Sequence, residues 1–250
     1  MTYRRERALA EIREGRRRAS NFSGWSFKDV RAKHLDPRIP WDYEALARER
    51  ATNARAVLDL GTGGGEVLER VSDGLGCRAT ATEEWRVNAP IAARRLHGRA
   101  DVVRASSLQL PFAGGSFDLV LDRHEALEPA EVGRVLAANG TVITQQVGPD
   151  SWPELRRFFP RKTDFGDHFG EYQRGFEAAG LNVSERCWHE ERVAFGSLMD
   201  VVYMLLVAPW TIPDFDPERE LDALLALEDA CASTDGIVLT EHHYLIVAQR

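Results

Sequence analysis

The chain has 250 residues, 44% of them hydrophobic and 28% charged, with a formal net charge of −7. That length supports one sizeable core, and the acidic balance stands against the concentrated positive footprint that binding to a nucleic-acid backbone requires. The three cysteines, Cys77, Cys187 and Cys231, have no metal-ligand spacing and read as reduced, buried thiols. The first residues contain no apolar signal-like segment. The longest apolar run, LMDVVYMLLVAPW (198–210), is shorter than the roughly 20 residues of a membrane span and is interrupted by Asp200. The expectation is a cytoplasmic protein with no membrane partner; the sequence sets no oligomeric state.

Residues 1–20 read as a helix, with Arg4, Arg5, Arg7, Arg13, Arg16, Arg17 and Arg18 set against Glu6, Glu11 and Glu14. Residues 21–50 are irregular at first, broken by Pro37 and Pro40, and close in a short helix near 42–50. A rhythm then begins. Short apolar runs at 54–60, 77–83, 100–105, 117–123 and 140–147 read as five strands. Helical patterns separate them near 64–73, 86–98 and 128–137, the last ended by Asn139-Gly140. Such alternation indicates βαβ units and a parallel sheet. Beyond residue 147 the pattern gives a helix ending at Gly180, a long strand at 181–195 and a helix stopped by Pro209. Another helix opens on Asp216-Pro217, and a final strand covers 238–250.

The stretch VLDLGTGGGE (57–66) carries the first chemical signal. A strand-to-helix turn aims backbone N–H groups and the positive end of a helix dipole at one point. Glycines allow left-handed backbone angles and close approach of a ligand. The spacing lacks the third glycine of a dinucleotide fingerprint and the lysine of a phosphate loop. Instead Asp59 precedes Gly61, Gly63 and Gly65, and an acid there suits a ligand bearing an ammonium group while repelling a pyrophosphate. Glu83, eighteen residues beyond Gly65, ends the second strand, where a carboxylate accepts hydrogen bonds from both hydroxyls of a ribose. Glu84 is adjacent and is the alternative.

With ATEE (81–84), ASSLQLPFAGGSFDLVL (105–121) and EVGRVLAANGTVIT (131–144), the order and spacing of these motifs resemble the class I S-adenosylmethionine-dependent methyltransferases over residues 55–147. The resemblance implies an α/β, Rossmann-like fold: a seven-stranded, mostly parallel sheet with an antiparallel last strand. It is expected to carry an N-terminal helical cap (1–50) on a methyltransferase domain (51–250), with a helical insertion at about 196–235 between strands six and seven. It further implies S-adenosyl-L-methionine as cofactor and S-adenosyl-L-homocysteine as product. Asp59, Gly61, Thr62, Gly63 and Gly65 match the loop holding the methionine part and the sugar, Glu83 the ribose acid, and Glu84 the position along the adenine. Ser106, Ser107 and Leu108 follow strand three, where the family often has an aspartate on the adenine amino group. The serine is a departure. Arg123 lies at the end of strand four, where the family's main chain meets the methionine amine.

Methyl transfer from a sulfonium is an in-line displacement, so the protein chiefly aligns the acceptor and excludes water. His124, just past strand four, is the expected base or acceptor-orienting group. Thr144, Gln145 and Gln146 at the end of strand five, and His242 and His243 in the last strand, are further polar candidates. Aromatic residues Trp25, Phe27, Trp41, Tyr43, Phe195, Tyr203, Trp210 and Phe215 fall in the two additions and suit walls around a small apolar acceptor. The reading is thus a small-molecule methyltransferase with no nucleic-acid partner. Its rivals are an RNA or protein methyltransferase docking through the arginine-rich helix, and a non-catalytic S-adenosylmethionine-binding protein.

Overall fold

A computed structural model describes residues 2–74 and 76–250. In chain order the elements are α1 (Thr2–Ala19), β1 (Ala32–His34), α2 (Tyr43–Ala51), β2 (Ala56–Leu60), α3 (Glu66–Ser72), β3 (Arg78–Thr82), α4 (Ala89–Arg95), β4 (Ala100–Val103) and β5 (Phe117–Arg123). Then come α5 (Pro129–Val135), β6 (Leu136–Val147), a 3-10 turn at Pro153–Arg157, α6 (His168–Ala178), β7 (Asn182–Phe195), α7 (Leu198–Val207), α8 (Leu221–Cys231), β8 (Ala232–Ser233) and β9 (Gly236–Gln249).

The short apolar runs become strands because both of their faces are covered. Residues such as Leu58, Leu60, Val120 and Val142 pack on one face with Val132, Val135 and Phe176 of α5 and α6. Val57, Leu119, Leu121 and Ile143 pack on the other with Tyr43 and Ala47 of α2. The sheet order is β1-β7-β9-β6-β5-β2-β3-β4, with β8 beside β9. Strands β4, β3, β2, β5 and β6 are mutually parallel, and β9 inserts antiparallel between β6 and β7. This is the expected seven-stranded sheet with an antiparallel last strand, extended by two short strands, β1 and β8, that the sequence pattern did not signal. The chain leaves β2 toward β3 and β4 on one side and returns to β5 and β6 on the other. The crevice at the carboxyl ends of β2 and β5 is therefore the switch point, where open α/β sheets bind ligands.

A third core joins the two additions: Ala8 and Ile12 of α1 with Leu198, Val201, Val202 and Leu205 of α7 and Leu221, Leu224 and Leu227 of α8. Asp200, the acid that interrupts this apolar run, is 1% exposed and accepts from Arg31 N, Arg31 Nη2 and Ser197 Oγ, tying the segment after α1 onto α7.

Three local expectations need correction. Asn139-Gly140 does not end a helix: α5 stops at Val135, and β6 begins at Leu136, which pairs with Phe117. The next pair is Leu119 with Thr141, so residues 137–140 form a bulge, with Asn139 left-handed at φ 64. Asp216-Pro217 caps a separate turn, its carboxylate accepting from Glu218 N and Arg219 N, and α8 starts only at Leu221. The helix expected over 86–98 is shortened to Ala89–Arg95, with turns on either side of it.

Candidate active site

The glycine loop is fastened to β3 from beneath. Thr62 N donates to Thr82 O (2.9 Å) and Gly61 N to Thr82 Oγ1 (3.3 Å). Gly61, Gly63 and Gly65 have φ of +56°, +62° and +83°, angles only glycine adopts without strain. The space a Cβ would take at these positions is filled by the protein itself. At Gly61 it would meet Glu125 at 2.4 Å, and at Gly63 the Cβ of Trp25 at 3.1 Å. At Gly65 it would meet Leu96 at 3.0 Å. The glycines thus serve the packing of the loop's own cover as well as the loop's turn.

The expected acids converge here. Glu83 is 6% exposed; its Oε2 accepts from Gly63 N and its Oε1 from Trp85 N, each at 2.7 Å. This fixes the carboxylate between the loop and the end of β3. Asp59 is 5% exposed, and burial, with Glu83 nearby, pushes its pKa up to about 7. Tyr43 lies on the same face of the sheet and its hydroxyl is a buried group without a hydrogen-bond partner. The Thr62 hydroxyl and Asp122 Oδ1 are likewise buried and unpartnered. Glu84 is exposed, its carbonyl accepting from Arg104 Nε at 3.4 Å. Ser107 is buried, Ser106 half-buried with its hydroxyl 3.4 Å from Leu108 N, and Leu108 is 53% exposed. These residues follow β4, beyond Glu83.

The resulting cradle fits the cofactor that the motifs imply. It joins a left-handed glycine turn, a buried strand-end acid, Asp59, and a second buried carboxylate, Glu83, at the end of the neighbouring strand. Two arginines stand near: Arg95 donates from Nε to Gly64 O at 2.8 Å, and the Arg123 guanidinium lies over the Tyr43 ring (5.9 Å) and 4.0 Å from Glu44.

On the other side of the switch point, His124 occupies a left-handed turn (φ 66) directly after β5, and its N–H donates to Gln145 O at 2.8 Å. Gln145 Nε2 lies 3.2 Å from His124 Nε2, while Gln145 Oε1 accepts from Trp41 Nε1 at 2.8 Å. The His124 and His243 rings are 6.2 Å apart. Burial, reinforced by Arg123 and His243, pulls the His124 pKa down to about 3. Gln146 and Thr144 point to the opposite face, where Gln146 Nε2 and Thr144 Oγ1 each donate to Asp122 Oδ2 at 2.5 Å. His242 faces Glu190 (2.9 Å) and the Trp188 ring rather than His124.

Above the loop sits an aromatic canopy drawn from three distant segments. Phe22 contacts Trp25, Phe27, Trp85 and Tyr203 with ring centroids 5.4–6.4 Å apart. Trp25 stacks on Trp210 at 6.2 Å. The canopy is latched by Asn88, 2% exposed, which accepts from Gly24 N (2.7 Å) and donates to Gly24 O (3.3 Å). Of the expected aromatic walls, Trp25, Phe27, Tyr203 and Trp210 belong to it. Trp41 and Tyr43 lie lower, at the strand ends. Phe195 and Phe215 instead pack in the third core against Trp152 and Phe159. Sequence reasoning missed Phe22, Trp85, Asn88 and Glu125; for Trp85 the signal was available, since it directly follows the strand-end acids.

Most arginines of the first helix are engaged in internal pairing. Arg4 binds Asp229 and Glu228, Arg7 binds Glu228, Arg5 binds Asp222, and Arg16 binds Glu218, joining α1 to α8 and the turn before it. Arg17 and Arg18 pair with Glu14. Among the described residues no helix is long and apolar enough to cross a membrane, and no cluster of three or more His, Cys, Asp or Glu has metal-binding geometry.

Residues 57–144 match the family model for a methyltransferase domain. Similar solved structures include a candidate methyltransferase from Bacillus halodurans, with 16% identity over 82% of this chain and 97% of that one and a TM-score of 0.59. They include the [4+2]-cyclase SpnF, with 18% identity, coverage of 92% and 88%, and a TM-score of 0.54. A geranyl diphosphate C-methyltransferase from Streptomyces coelicolor has 15% identity, coverage of 83% and 78%, and a TM-score of 0.52. At such identities these likenesses speak for the fold alone. Among curated proteins no sequence matches significantly. Matched domain, strand order and switch-point loop agree: residues 57–144 match a methyltransferase domain, set in the mostly parallel sheet of a Rossmann-like methyltransferase fold.

Proposed function

We propose that the protein transfers a methyl group from S-adenosyl-L-methionine to a small-molecule acceptor bound beside His124. The observation that carries this reading is the canopy latched over the glycine loop. Aromatic rings from residues 22–27, Trp85 and the α7 segment gather beside the glycine loop, and an apolar cover of that kind suits a small guest. The cofactor supplies an electrophilic methyl group on a sulfonium. Glu83 receives the ribose hydroxyls, Asp59 and the loop face the methionine part, and Ser106, Ser107 and Leu108 border the adenine. His124 serves as an orienting donor rather than a base, since its pKa of about 3 leaves it little proton affinity at neutral pH.

A polymer acceptor is disfavoured because most of the arginines expected to dock it are paired with acids of the same chain. The cyclase among the structural neighbours is a reminder that this fold hosts other chemistry. Isothermal titration of the purified protein with S-adenosylmethionine, S-adenosylhomocysteine and NAD tests the cofactor. Micromolar binding of the first two without NAD is expected; binding of none of the adenosyl ligands would overturn the reading. Screening of small-molecule acceptors follows from the first result.

A further inference from the structure

Glu125 belongs to none of the motifs, yet it lies on the glycine loop. It follows His124 in the turn after β5, and its Cβ, Cγ and Oε2 come within 2.4–2.6 Å of where a Gly61 Cβ would stand. Gly61 is therefore the residue that lets this side chain lie across the end of β2. The arm is fixed at its base, where the Glu125 carbonyl accepts from Gln146 Nε2 at 2.7 Å. Gln146 is itself held by Asp122 and Thr144. Burial, with the negative charges of Glu83 and Glu84, pushes the Glu125 pKa up to about 7 against one hydrogen bond from the Ala126 backbone. A half-buried carboxylate held among other carboxylates, with no basic side chain paired to it among the described residues, calls for a cationic ligand group.

The order of strands decides which group. Given the cofactor reading above, on which this inference rests, the ribose meets Glu83 at the end of β3 and the adenine extends toward the loop after β4. The methionine part must then run the other way, across Gly61 at β2 toward the turn after β5. Of the two cationic groups in that part, the sulfonium has no hydrogen to donate, whereas the α-ammonium makes directional, charge-assisted hydrogen bonds to a carboxylate. We infer that Glu125 is the counter-ion of the cofactor's α-ammonium, held over Gly61 to receive it.

The test compares three ligands by calorimetry on the full chain and on Glu125→Gln: S-adenosylmethionine, S-adenosylhomocysteine and 5′-methylthioadenosine, which lacks the amino-acid end. The inference expects the variant to lose about ten- to a hundredfold in affinity for the first two and nothing for the third. An equal loss for all three, or no loss, overturns it. So does a loss confined to S-adenosylmethionine, which would assign Glu125 to the sulfonium. Glu125→Asp, which keeps the charge but withdraws it by one methylene, should fall between parent and Glu125→Gln, and supplies the comparison if the latter fails to fold. If the parent itself binds none of the three ligands, the cofactor reading falls first, and this assignment with it.

Discussion

Trp41 determines the tautomer of His124. An indole N–H only donates, so the 2.8 Å contact of Trp41 Nε1 fixes Gln145 with its oxygen toward Trp41 and its NH2 toward His124. His124 Nε2 must then accept, and the ring's proton sits on Nδ1. A histidine so placed presents an N–H to the site, not a lone pair. Nitrogen NMR of the His124 ring should accordingly show the Nδ1-protonated form and no titration between pH 5 and 8. With an acceptor in hand, His124→Ala should lower turnover by about tenfold, the scale of one lost hydrogen bond. A loss of several hundredfold, with a pH profile rising on a pKa near 6, would restore the base.

Glu83 has two duties, and its variants should separate them. Its carboxylate holds Gly63 N and Trp85 N, and it is the group proposed to receive the ribose. Glu83→Ala orphans two backbone donors, at a cost of about 1–3 kcal/mol each where water cannot reach them. The expected result is a lowered melting temperature together with at least tenfold weaker S-adenosylmethionine binding. Unchanged binding would remove Glu83 from the cofactor site.

The buried Asp59 makes a pH prediction with a definite sign. Its folded pKa, raised to about 7, exceeds the unfolded value near 4, so the folded protein retains a proton that the unfolded chain has released. Its contribution to stability is complete below about pH 4 and is lost as pH climbs to about 7. Asp59→Asn cannot ionise, so the variant should gain melting temperature relative to the parent between pH 5 and 8. A difference that stays flat across that range contradicts the buried, uncompensated state.

Asn88 should govern the canopy. Its side chain makes both hydrogen bonds to the Gly24 peptide, and Trp25, the next residue, is the one lying on Gly63. Asn88→Ala is expected to speed amide exchange over residues 22–27 by roughly tenfold, the scale of one to two lost hydrogen bonds, while leaving exchange in β2 and β5 unaltered. Faster exchange throughout the sheet would mean that Asn88 supports the fold rather than the latch.

Charge pairing along α1 predicts that the protein passes through heparin at moderate salt. The arginines paired with α8 offer little free positive surface. Retention that weakens steeply with salt would instead support an RNA acceptor.

The sheet was legible because its signals are local. A strand buried on both faces must be a short apolar run, and Val57–Leu60, Leu119–Leu121 and Val142–Ile143 are such runs. The glycine loop with Asp59 and the strand-end Glu83 was legible for the same reason: backbone angles and a strand terminus prescribe residue type within a few positions. Where local signals competed, tertiary contacts prevailed. Asn139-Gly140, a sound helix stop, became a bulge because Thr141 had to stay in register with Leu119. Asn88, at the N-terminus of α4, makes no capping bond there because its side chain binds Gly24, 64 residues away. Glu125 carries no motif, and its place over Gly61 exists only because β2 and β5 are neighbours in space. The tautomer of His124, the canopy and the neutralised arginines likewise depend on contacts between residues remote in sequence. Periodicity and turn chemistry determined the elements and the glycine loop; side-chain convergence at the switch point, which no single stretch encodes, decided what surrounds that loop.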